Sequence, residues 1–192
     1  MSSFRPIRLL AVALVAGLSF TAVAVTPSVA SASTPPGSYV LSAKAAAKLG
    51  FPVVEAPPRP NANTGEAHCS TSVQALYVST SHQVGLASET LLCSTVAAAT
   101  TVFNQTKKQI TTDPSLPVPK ALGSSAIATA ADAPQYSVLW RHGNKLGVTA
   151  IDTDVPASAS GEETSTPPVP PTAAQARQLD AAALAQNALL SK

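Results

Sequence analysis

Two cysteines bracket the stretch of this chain that reads most clearly as a β-hairpin. Cys69 precedes Gln74 to Ser79, where Ala75, Leu76, Tyr77 and Val78 form an apolar run. Cys93 closes a second stretch in which Val84, Leu86, Ser88, Thr90 and Leu92 alternate with Gly85, Ala87, Glu89 and Leu91. Such runs on either side of the polar Thr80-Ser81-His82-Gln83 predict two antiparallel strands joined by a turn. The cysteines then stand at the open end of the hairpin. A disulfide there closes a loop of about 25 residues, worth roughly 3–4 kcal/mol in the chain-entropy model.

The amino terminus says whether that bond can form. Arg5 and Arg8 precede an apolar run from Leu9 to Val25, and the small residues Ala30-Ser31-Ala32 follow. This is the order of a secretory signal peptide over residues 1–32, with cleavage near Ala32. The protein is therefore expected to be secreted or extracytoplasmic, where an even cysteine pair reads as a disulfide. No cysteine directly follows the apolar run, so a lipid anchor is not expected at that end. No second run of about 18 apolar residues exists, so no transmembrane segment is expected in the mature chain. The whole chain of 192 residues has a formal charge of +2, and Arg5 and Arg8 account for all of it. A neutral mature protein offers nothing to a polyanion, and nucleic acid is not an expected partner.

Residues 33–66 read as a Pro-rich extended lead: Pro35-Pro36, Pro52, Pro57-Pro58 and Pro60 each remove a backbone donor. Within it, Ser42 to Leu49 predicts a short helix that Gly50 stops. A disulfide-stapled domain is placed at 67–155, a Pro/Ser/Thr linker at 156–171, and a helix docking on the domain at 172–192. Ser94 is expected to cap a helix whose stripe is Val96, Ala99, Phe103, Thr106 and Ile110. Strands are predicted at Ala126 to Ala130, Tyr136 to Arg141 and Leu146 to Asp152. The last two flank Gly143-Asn144, a pair suited to a two-residue turn. That register sets Leu139 opposite Val148, Tyr136 opposite Ile151 and Trp140 opposite Gly147. Thr172 and Gln175 make a capping box for the last helix, with Ala176, Leu179, Ala183 and Leu190 as its apolar stripe. The fold class is α+β: a small, mostly antiparallel sheet of about five strands with two helices on one face.

Several of these segments resemble a known group. They are the capped Ala97-Ala98-Ala99 and Phe103 helix, Val118-Pro119 before Leu122-Gly123-Ser124-Ser125-Ala126, the Arg141-His142-Gly143-Asn144 hairpin, and the Ala/Leu-rich final helix. Together the stretch from Cys69 to Leu190 is similar to small extracytoplasmic domains of actinobacterial cell-envelope proteins. These include secreted proteins, lipoproteins and the sensor-like outer domains of mycobacterial receptor kinases. The resemblance implies an α+β sheet and ligand sensing, and transfers no catalytic residue.

Chemistry-bearing patterns are few. Arg141-His142-Gly143 looks like the triplet of the histidine phosphatases, where the histidine accepts phosphate and arginines hold its oxygens. That chemistry needs several cations converging on one phosphate. After His142, however, Arg177 is the only arginine and there is no further histidine. His68, His82 and His142 have no metal-ligand spacing, and Asp152-x-Asp154 lacks further oxygen ligands nearby. Gly123-Ser124-Ser125-Ala126 lacks the second glycine of a nucleophile elbow. No catalytic set, metal site or cofactor is expected. Tyr77, Trp140, Arg141 and His142 are the candidate ligand or partner surface, because aromatic and arginine side chains often anchor contacts. The expected function is non-enzymatic binding of a small apolar ligand or an envelope protein. A small phosphatase-like hydrolase and a structural spacer are the alternatives.

Overall fold

The computed structural model describes residues 36–62, 64, 68–81, 83–109, 118–132, 135–153 and 172–191. The proposed signal peptide, the 156–171 linker, His82, Ile110 and Asp154 lie outside the described residues. A 3-10 turn at Pro36–Tyr39 leads into α1 (Ala43–Lys48) and strand β1 (Val53–Asn61). The hairpin β2 (Thr71–Val78) and β3 (Gly85–Leu92) follows, then α2 (Val96–Gln109). After a second 3-10 turn, Lys120–Leu122, come β4 (Ala126–Asp132), β5 (Gln135–His142), β6 (Lys145–Asp152) and α3 (Ala173–Leu190).

The six strands form one sheet in the order β1-β2-β3-β6-β5-β4. Every neighbouring pair is antiparallel. Two three-stranded meanders thus meet through their last strands, and each is followed by a helix. The α+β class holds. Cys69 and Cys93 are joined by a disulfide. It ties the chain just before β2 to the chain just after β3, so the hairpin's open end is closed. Among the described residues, no helix is long and apolar enough to cross a membrane.

Two expectations are corrected. The sheet has six strands rather than about five, because the Pro-rich segment supplies β1. Pro57, Pro58 and Pro60 are tolerated there since β1 is an edge strand with one side unpaired, and the adjacent Pro57 and Pro58 fall where the ladder to β2 is interrupted between Ala56 and Arg59. Its pairing with β2 slips between Val54 and Ala56 and again between Ala56 and Arg59. Residues before β1 join the core as well: Val40, Leu41 and Phe51 are buried. The segment read as a lead is part of the domain.

The second correction concerns the helices, which lie on opposite faces. Alternation along β5 sends Tyr136, Val138 and Trp140 to one side and Leu139 to the other. On the first side these residues join Val73, Ala75, Tyr77, Leu86 and Ile151 in a core with α1 and with Leu179, Ala182, Ala183 and Leu190 of α3. On the second side Leu139, Leu146 and Ile127 pack with Ala98, Ala99, Val102 and Phe103 of α2 and with both cysteines. Central strands that are apolar on both faces need a cover on each.

Local details follow the residues. Ser42 caps α1 by accepting from Ala45 N–H, and Gly50 leaves that helix at φ 96°. Thr95 rather than Ser94 caps α2: its Oγ1 accepts from Ala98 N–H at 3.0 Å. The buried stripe of α2 is accordingly Ala98, Ala99, Val102 and Phe103, and Val96 is 53 % exposed. The β5–β6 register is the expected one, with Trp140 opposite Gly147. Any Cβ on Gly147 would overlap the indole ring of Trp140, so the glycine makes room for the largest core side chain.

Candidate functional site

The sequence-derived site residues separate in space. Tyr77 and Trp140 are both wholly buried. The Tyr77 hydroxyl donates to the Leu41 carbonyl, and burial raises its pKa above the usual phenol value. Neither ring is available to a partner at the surface, which corrects the surface role expected of them. Both are core residues, as large aromatics of a small domain tend to be. Arg141 and His142 are half-buried at the end of β5. Being consecutive in a strand, they leave opposite faces of the sheet. The Arg141 guanidinium is held back by Gly143 O and Ser125 Oγ, each at 3.4 Å. The two side chains therefore do not converge on one anion. Beside them, the Asn144 amide donates to Cys93 O at 2.9 Å and Cys93 N–H donates to Asn144 O, so the hairpin tip is locked to the disulfide. Among the described residues, no three of His, Cys, Asp and Glu gather as metal ligands.

The two faces differ in what their helices leave over. Under α3, a polar circuit runs through the core. Leu41 N–H donates to Ser88 Oγ, and Ser88 Oγ donates to Gln186 Oε1 at 2.9 Å. Gln186 Nε2 donates to Thr90 Oγ1 at 2.9 Å and to Glu89 O at 2.7 Å. Thr90 Oγ1 in turn donates to Tyr39 O at 2.8 Å. Ser88, Thr90 and Gln186 are all fully buried. Two more contacts hold the helix: Gln178 Nε2 donates to Leu49 O, and Lys145 Nζ donates to Leu190 O, each at 2.9 Å. The Lys145 ammonium also stands 4.9 Å from the centre of the Tyr39 ring, a cation–π distance. This face is committed to holding the molecule together.

The α2 face is organised in rows that the strand register defines. The helix packs with Leu91, Leu146, Leu139, Val148 and Ile127, in the two rows nearest the disulfide. The next row across the sheet is Leu76, Ala87, Ala150, Ser137 and Thr129. Its centre is made of the short side chains Ala87, Ala150, Ser137 and Thr129, all buried, and Leu76 at its β2 end is half-buried. Along its border stand Gln74 and Glu89, paired across β2 and β3 and half-buried. Burial raises the Glu89 pKa above the ordinary carboxyl value, and a hydrogen bond with Ser72 partly offsets the rise. The half-buried leucine, carboxamide and carboxyl at its β2–β3 side are the groups that a ligand with an apolar body and one polar end would meet.

Sequence reading missed Glu89 and Gln186. For Gln186 a signal was present: it follows Leu179 and Ala183 by seven and three residues, on the same helical stripe. A polar residue on an apolar stripe marks a buried partner. For Glu89, alternation placed it on a sheet face but said nothing of what packs there. Comparison with known proteins adds no relative: no family model, no curated protein and no solved structure matches the chain.

Proposed function

We propose that this chain is an exported, non-enzymatic binding domain of the bacterial cell envelope, and that the sheet face beside α2 is its binding surface. The observation that carries this reading is the unequal use of the two faces. The α3 face is spent on an apolar core and a closed polar circuit. The α2 face leaves Leu76, Gln74 and Glu89 half-buried beside a row of short, buried side chains. The disulfide supports export, since such bonds persist in oxidising compartments. The amino-terminal sequence and the resemblance to actinobacterial envelope domains point the same way. The ligand class is a small molecule with an apolar body, or an envelope protein presenting an apolar side chain.

Native mass spectrometry of the protein secreted by an actinobacterial host tests this. The expected species is the chain from Ser33 less two hydrogens, carrying extra mass that leaves on collisional activation. A Leu76→Asp variant is expected to keep the disulfide and lose the extra mass. A bare wild-type protein would remove the small-ligand reading and leave the protein partner.

A further inference from the structure

The two edges of the sheet meet solvent differently. On β4, Ile127, Ala128 and Thr129 are at 5 %, 3 % and 2 % exposure, main chain included, so no added strand can reach them. On β1 the chain lies open: Val54, Glu55 and every residue from Pro57 to Asn61 are exposed. β1 is nine residues long and begins with the β-branched pair Val53 and Val54. A long open strand is a template for a second copy of itself, because an edge carries outward N–H and C=O groups ready for pairing.

The sequence of β1 removes what such pairing needs. A strand that adds to an antiparallel edge takes N–H donors from alternate residues. In the stretch from Pro57 to Pro60 only Arg59 has an N–H, and Arg59 is in register with Gln74 of β2. Two consecutive prolines leave neither phase of the alternation intact. The register is broken in the same place. Pro57 and Pro58 stand against the single Ala75, and Glu55 has no residue opposite it between the Val54–Tyr77 and Ala56–Leu76 pairs. Such bulges bend and twist an edge away from a flat partner. Charge does not account for the protection. In an antiparallel pair of these strands centred on Pro57, Glu55 of each copy would stand opposite Arg59 of the other, which is an attractive arrangement.

We infer that Pro57, Pro58 and Pro60 keep this protein from joining a second copy of itself edge to edge through β1. The three prolines are exposed, so the core does not require their rings. Pro58 does have one neighbour: a Cβ added to Gly37 would stand 3.4 Å from Pro58 Cβ. A threonine at that position keeps the Cβ and restores the donor.

The test replaces the three residues together, Pro57→Thr, Pro58→Thr and Pro60→Thr, in the disulfide-bonded protein. Threonine supplies the N–H and favours strand. Circular dichroism checks that the variant is folded. Sedimentation velocity is expected to give a monomer for the wild-type chain and, for the variant, a species of twice that mass whose share rises with concentration. Hydrogen exchange is expected to show the amides of residues 54–61 slowed in the variant dimer relative to its dilute monomer. If the triple variant does not fold, Pro60→Thr alone carries the same test, since Pro60 lies in the regular part of the register between Arg59 and Asn61. A wild-type protein that dimerises with its β1 amides protected would overturn the inference. So would a folded variant that stays monomeric at every concentration, or a dimer that leaves the β1 amides unprotected.

Discussion

The sheet's two faces are built from the same strands, residue by residue in alternation, and yet they do different work. Under α3 lie Trp140, Tyr77, Phe51 and a closed circuit of hydroxyls and one carboxamide, all at or below 1 % exposure. Under α2 lies a smaller cluster whose one aromatic is Phe103, sealed at its end by the disulfide. Beyond that helix the rows shorten to alanine and serine, and a carboxyl stands beside them with its pKa raised. The contrast teaches where stability is stored and where a binding surface can be carried. One face has its hydrogen bonds directed and its large side chains interlocked. The other relies on a covalent staple at one edge and leaves Leu76, Gln74 and Glu89 half-buried beside its middle row.

The largest test of this contrast is a pair of truncations. Trp140→Ala should cost about 3–5 kcal/mol, measured by denaturant unfolding, because it empties the centre of the tighter face. Phe103→Ala should fall at the lower end of that range, about 3 kcal/mol, because the rows beside α2 can relax toward it. Equal losses would mean that the two faces are packed alike. Next comes the staple. Replacing both Cys69 and Cys93 with alanine should cost roughly 3–4 kcal/mol and leave the helix content of the folded state unchanged. Circular dichroism and the urea midpoint check both points.

Gln186→Leu should cost about 1–3 kcal/mol despite adding apolar bulk, since Ser88 Oγ, Thr90 Oγ1 and Glu89 O each lose one hydrogen bond in the core. A neutral or stabilising result would show that the circuit is not what holds α3. The smallest effect is electrostatic and belongs to the other face. Burial raises the Glu89 pKa, so the folded protein binds that proton more tightly than the unfolded chain does. Stability should therefore fall as pH rises from the ordinary carboxyl value through the raised one. Asp180 on α3, also raised by burial, adds a slope of the same sign. Glu89→Gln should flatten the α2-face share of that slope and leave the Asp180 share. Unfolding midpoints measured across mildly acidic to neutral pH read the difference.

Much of the fold was legible in short-range pattern. The β2–β3 hairpin, the β5–β6 register down to Trp140 opposite Gly147, the Thr172 capping box and the Gly50 stop all follow from residues within a few positions of one another. The site was much less legible. Aromatic residues in strands look the same in sequence whether they face solvent or core, and Tyr77 and Trp140 proved to be core. Arg141 and His142 look like a unit in sequence, but strand geometry sends consecutive side chains apart. The start of α2 moved by one residue because Thr95 competes with Ser94 for the same cap.

The sequence by itself determined the three helices and the strands from β2 to β6, where the hairpin is stapled, and which glycine must lie under the tryptophan. Each of these rests on periodicity, capping or a local steric need. The tertiary structure alone decided that a proline-rich segment becomes the sheet's edge, that α2 and α3 take opposite faces, and that Gln186 closes a circuit with Ser88, 98 positions away. Those outcomes depend on burial, and whether a side chain is buried is set by whatever arrives on the other side of it. In this molecule that neighbour comes from distant parts of the chain.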